Sequence, residues 1–216
     1  MGVTEESVRQ SAFRGAAYVF AVQLLMITFV MQVILKSDTF MVCFPKTVFG
    51  LGARFVASIL MHFNVEPDVR QGIYMMKYVT NHSKDFTNPG FAYAIGLMQM
   101  TGGLAAEVLC MLYLTSIRST IDTIIRFMAL ASIANVDDWY AGALQGSPLK
   151  KKVSLPYTVR KRDIEASDEP RGCAFHMGRF VYKMYRILYC SYMYYFMPFS
   201  CIIIPYLATS PGCAAK

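Results

Sequence analysis

Charge is what this sequence has least of. Only 16% of its 216 residues are Asp, Glu, Lys or Arg, against 55% hydrophobic ones, where a soluble domain carries about 25% charged residues. That balance excludes an ordinary water-soluble fold. Catalytic signatures are missing as well. The three histidines, His62, His82 and His176, stand far apart with no HExxH or HxxxH. His62 and Glu66 are four apart, but Pro67 directs a helix to end between them, which leaves no metal pair. There is no GxSxG, Walker A or GxGxxG, and "GLG" at 50–52 has no strand and helix around it to make a phosphate loop.

Six cysteines, at 43, 110, 173, 190, 201 and 213, form no CxxC and no even framework, so no disulfide is expected. The opening "MGVTEESVRQ" lacks the basic n-region and short apolar core of a cleaved signal, and Glu5 and Glu6 argue against a transit peptide. Glu6 also stands where a myristoylation pattern needs Ser or Thr. The net charge of +7 comes without any RNP-like or helix-turn-helix pattern, so nucleic acid is not an expected partner.

What is present is long apolar runs. Residues 13–35 have one charge at their edge, Arg14; 91–117 carry only Glu107; 180–207 are uncharged after Arg186. About 20 apolar residues cross a hydrocarbon core. With 121–144, these predict an all-α, polytopic integral membrane bundle of about four spans. "NPG" at 88–90 breaks the chain before the second span. The second and third spans form an antiparallel hairpin around 118–120. Between spans one and two, 37–88 reads as an amphipathic helical connection. Its 48–63 piece reads as a helix at the interface or packed on the bundle, with a fifth span as the alternative, and a second helix starts at Pro67. The stretch 145–176, with its three Pro and "KKK" and "RKRD" clusters, reads as a solvated basic loop. Four spans place both basic connections on the cytosolic or matrix-like side and both termini opposite. The sequon at Asn81 then carries no glycan.

Polar groups inside the spans are the candidate sites. Glu107 needs a partner at bilayer depth, where a charge costs about 2.5 to 3.5 kcal/mol. Arg126, counted down the other arm of the hairpin, is the expected one. That pair serves either as a lock or as part of an ion path. On the same span Ala92, Gly96, Gln99, Gly103, Ala106 and Cys110 follow 4-3-4-3-4 spacing, a stripe of small residues that suits close helix contact. The antiparallel count sets Gln99 level with Asp138, and Gly102 or Gly103 level with Asn135.

Asp137 and Asp138, adjacent to Trp139 and Tyr140, read as membrane-edge acids and anchors, answered by Lys150 to Lys152 or by Gln99, with an ion vestibule as the other reading. The last span carries Tyr182, Tyr185, Tyr189 and Tyr192 at 3-4-3 spacing. Such a row is either a packing seam or an aromatic wall for a quinone, pigment or sterol. No catalytic group, metal site or cofactor is expected. Bound lipids and either other membrane subunits or further copies of the chain are. The sequence thus favours a non-enzymatic subunit of a larger membrane complex, with a homo-oligomeric channel or transporter as the alternative.

Overall fold

The computed structural model describes residues 5–36, 42–45, 47–117, 119–143 and 172–208, and among them it is all-helical. The elements are α1 (Glu5–Lys36), α2 (Val48–Asn81), a short 3-10 turn (Ser83–Asp85), α3 (Pro89–Ser116), α4 (Thr120–Ala134), α5 (Val136–Ala143), α6 (Cys173–Leu188), a π-helical turn (Tyr189–Met193) and α7 (Tyr194–Leu207).

Four helices are long and apolar enough to cross a membrane: Gln10–Lys36, Val48–Asn81, Pro89–Ser116 and Phe175–Leu207. The number is the expected one, but the set is not. Residues 48–63 are not an interfacial piece. They are the first half of a 34-residue helix that passes straight through Pro67. Pro67 withholds its N–H from the Phe63 carbonyl, yet the helix continues, because an apolar bundle offers the other backbone groups no better partners than their own helix. Residues 121–144, expected as one span, are instead interrupted at Asn135. That residue caps α4 with φ −93° and ψ 14° before α5 starts.

Local signals explain the boundaries that do hold. Thr47 caps α2 by accepting from Gly50 N, and Ser119 caps α4 by accepting from Asp122 N. Pro89 occupies the first turn of α3, where its missing N–H costs nothing.

The core is the contact between α2 and α3. Met61, Val65, Val69, Ile73 and Met76 recur along one face of α2 and are fully or nearly fully buried against Met100, Leu109, Met111 and Leu114. At its closest point backbone meets backbone. A Cβ on Gly72 would lie 2.6 Å from the Gly96 carbonyl oxygen, and one on Gly96 would lie 3.0 Å from that of Gly72. Only glycine permits this approach. The small-residue stripe of α3 therefore packs on α2, and Gly103 rests on Val65 and Val69. α3 and α4 do run antiparallel in contact, but the close small-residue packing expected between them is made by α3 against α2.

Contacts at the two ends of the bundle give the direction of each segment. At one end Cys43 N donates to Thr115 O, and Gly50 lies by Thr120. At the other Phe13 stacks on Phe91, Gly178 lies by Thr80 and Tyr93, and Tyr140 touches Gly15. Between them α4 and α5 run back along the bundle, with Asn135 bonded to Asn64 and Gln23 to the Ile133 and Ala134 carbonyls. The described segments thus traverse the bundle five times. Residues 37–88, expected to stay on one side, run from the Cys43 end to the Phe91 end.

Candidate functional site

Near the middle of α2, about 4 Å from its midpoint by helical rise, His62 faces α3. Its Nδ1 lies 2.6 Å from Oε1 of Glu107. His62 is 3% exposed and Glu107 fully buried. This is the partner that Glu107 takes in place of Arg126. The expected Glu107–Arg126 pair does not form, because α2 occupies the face of α3 where Glu107 projects. Arg126 instead donates to the Tyr113 hydroxyl at 2.7 Å and stands 5.0 Å from that ring's centroid, a charge–aromatic contact on the outer surface.

The pair is incompletely satisfied. Nε2 of His62, Oε2 of Glu107 and the hydroxyl of Tyr189 are all buried and have no hydrogen-bond partner. Each such group carries a desolvation cost of about 1 to 3 kcal/mol. Tyr194 presents its ring edge to His62 at 5.4 Å and to Tyr189 at 6.2 Å. Arg70, paired with Glu66, lies 6.0 Å from the centre of the Tyr194 ring.

Two irregularities of the main chain flank this group. Pro67 sits one turn beyond His62 on α2, and the π-helical turn Tyr189–Met193 supplies Tyr189 and leads directly into Tyr194. The π-turn also explains what becomes of the tyrosine row. Tyr182 and Tyr189 are buried and Tyr185 is half-buried, but Tyr192 is exposed. A wider turn returns residues four and five places on, rather than three, to the same face. Met193 and Tyr194 therefore pack where Tyr192 was expected, while Tyr192 stacks on Phe196 outside.

The remaining expected residues find other partners. Gln99 bonds Asp68 of α2 at 3.2 Å, not Asp138. Asn135 accepts from Asn64 of α2 at 3.1 Å rather than facing Gly102 or Gly103. Gly102 lies against Gln23 of α1, and Ala106 is in the core. Asp137 is half-buried, with its Oδ1 unpartnered; Asp138 and Trp139 are exposed; Tyr140 reaches Gly15. Lys150 to Lys152 lie outside the described residues. Among the described residues, no group of His, Cys, Asp and Glu has the arrangement to hold a metal ion.

A second buried charge lies two turns before His62. Arg54 is 1% exposed and forks between two main-chain carbonyls, Cys43 at 2.7 Å and Ile117. It thereby ties the start of α2 to the end of α3. Ser58, between Arg54 and His62, donates to the Pro198 carbonyl at 2.8 Å beside Met111 Sδ at 2.9 Å. Cys43 is disulfide-bonded, against the expectation of none, whereas Cys110, Cys173, Cys190 and Cys201 are free.

Sequence reasoning missed His62 and Arg54 for one reason: both lie in the stretch read as interfacial. The discoverable signal was the spacing of Arg54, Ser58 and His62 at i, i+4 and i+8, a polar stripe on an otherwise apolar helix. No protein-family model, curated protein or solved structure matches the chain.

Proposed function

We propose that this chain is a multi-pass integral membrane protein without enzymatic activity, acting as a structural subunit of a larger membrane assembly. The observation that carries the reading is the contrast between inner and outer helices. The apolar window of α3 is 50% buried, whereas those of α1 and of α6–α7 are only 22% buried. The outer faces display Leu25, Phe29 and Val33 on α1, and Tyr192, Tyr195, Phe196 and Phe199 around α7. Lipid tails suit the aliphatic row. The aromatic row, with rings already stacked, suits contact with another membrane helix. The inner polar groups Arg54, Ser58, Gln23 and Asn64 fix helices to one another. Native mass analysis in mild detergent tests this: a heteromeric complex is expected, and a lone monomer overturns it.

The His62–Glu107 pair favours the second reading, a homo-oligomeric channel or transporter. That reading requires a complex of identical copies and ion flux in reconstituted vesicles that Glu107→Gln alters.

In a membrane, five traversals put the start of α1 at the same end as the residues flanking 144–171, whereas four spans had put them at opposite ends. The residues flanking 144–171 belong to the Phe91 end, and that connection carries Lys150, Lys151, Lys152, Arg160, Lys161, Arg162 and Arg171. In sequence, the segment ends and short connections at the Cys43 end carry Lys36, Lys46 and Arg118. The positive-inside rule puts the Phe91 end in the cytosol or its equivalent. The disulfide at Cys43 supports an oxidising compartment at the other end. Cys173, free and exposed at the Phe91 end, then reacts with an impermeant maleimide only after the membrane is opened. Labelling of Cys173 on intact cells overturns this orientation.

A further inference from the structure

Three unpartnered, buried polar atoms surround one contact: Nε2 of His62 from α2, Oε2 of Glu107 from α3 and the Tyr189 hydroxyl from the π-turn. Packing alone accounts poorly for such a group, since two aliphatic side chains of similar volume would fill the space without stranding any donor or acceptor. The stranded atoms are also chemically complementary. A carboxylate oxygen accepts, a phenol donates, and an imidazole nitrogen does either. Enclosed water, which takes two to four polar partners, is the kind of group that satisfies them.

We propose that His62 and Glu107 form an intramembrane proton-binding site, independent of whether the chain is a structural subunit. In its neutral form the pair carries two protons, one along the 2.6 Å contact between Nδ1 and Oε1 and one on Nε2, and the Nε2 proton is the dissociable one. With that proton, as His⁺ with carboxylate or as imidazole with carboxylic acid, the pair has zero net charge. Loss of a proton leaves a carboxylate beside a neutral imidazole, a net negative charge at the contact. An enclosed water between Oε2, Nε2 and the Tyr189 hydroxyl relays the proton in and out.

The surroundings fit this use. The other titratable or charged groups facing the pair are Glu66 and Arg70 from α2, Cys110 from α3, and Tyr189, Tyr194 and Cys201 from the π-turn and α7. From α1 and α4 the polar side chains are Gln23 and Asn135, which do not titrate. The Glu66–Arg70 pair leads inward past Tyr194 to the His62 ring. Pro67 and the π-turn bracket the site, and irregular turns of this kind accompany functional positions in helices.

The test is pH-difference infrared spectroscopy of the full-length chain in lipid vesicles, between about pH 4 and about pH 9, a range that brackets ordinary Glu and His titration. A carboxyl or carboxylate signal that disappears in Glu107→Gln and moves in His62→Gln is expected. A wild-type spectrum with no titrating buried carboxyl overturns the proposal, and so does a difference spectrum that Glu107→Gln leaves unchanged, the half-buried Asp68 and Asp137 contributing equally to both chains. If Glu107→Gln does not fold, His62→Gln decides alone: an unmoved signal overturns the proposal and a moved one sustains it. Native mass, which tests the assembly reading, is unaffected by either result.

Discussion

Arg54 and His62 lie eight residues apart on the same buried face of α2, and their surroundings are opposites. Arg54 reaches two carbonyls that helix and chain ends leave open, so its charge is answered by groups that need a donor anyway. His62 reaches one carboxylate, and three polar atoms around the pair go without partners. The first arrangement resembles a rivet, with every arm used. The second retains capacity, which is what a site that exchanges something requires. The same helix thus carries a structural and a chemically open polar group.

Removing the rivet has the largest expected effect. Arg54→Met keeps the length but strands the Cys43 and Ile117 carbonyls, at a cost of about 4 kcal/mol, read as a lowered thermal unfolding temperature in detergent. Arg54→Lys recovers only part of it, since a single ammonium does not fork. Wild-type stability in Arg54→Met would remove the contrast altogether. At the open site, His62→Leu leaves Glu107 alone and costs about 3 kcal/mol, while the double variant with Glu107→Leu costs about 1 kcal/mol or less. A double variant as damaged as Arg54→Met would make both groups structural. The smallest effects come from two tyrosines. Tyr93 donates to the Gly178 carbonyl at 3.1 Å, so Tyr93→Phe costs about 1 kcal/mol. Tyr189→Phe deletes the hydroxyl that the proposed water bonds and costs about 1 kcal/mol. Unchanged stability in Tyr189→Phe would show that no ordered water uses this hydroxyl.

How far the sequence could be read depended on how polar each helix is. The second expected span, 91–117, matches α3 almost residue for residue, since Asn88 and Pro89 mark its start and Glu107 alone interrupts its apolarity. By contrast α2 carries Arg54, His62, Glu66, Asp68 and Arg70, and its Pro67 imitates a helix start. Glu66 and Arg70 answer each other, but Arg54, His62 and Asp68 are tolerated because other segments supply their partners, information that no window of α2 contains. The same omission misdirected the site. Sequence neighbours suggested that Glu107 looks across the hairpin to Arg126, whereas the glycine contact of Gly72 with Gly96 brings α2 in between. Gly96 and Gly103 were recognisable as interface residues, but which helix they meet was not.

The π-turn at Tyr189–Met193 has an arithmetic consequence. A turn that holds one residue more than its neighbours is an insertion absorbed without lengthening any connection, and it leaves the two halves of the last traversal with separate registers. Everything from α7 onward is set by that one residue. Deleting Ser191 would close the turn to ordinary pitch and rotate α7 by about 100°, withdrawing Tyr194 from His62 and the Pro198 carbonyl from Ser58 while α6 stayed in place. The π-turn is therefore a point at which the outer aromatic surface and the inner polar centre can be re-aimed together.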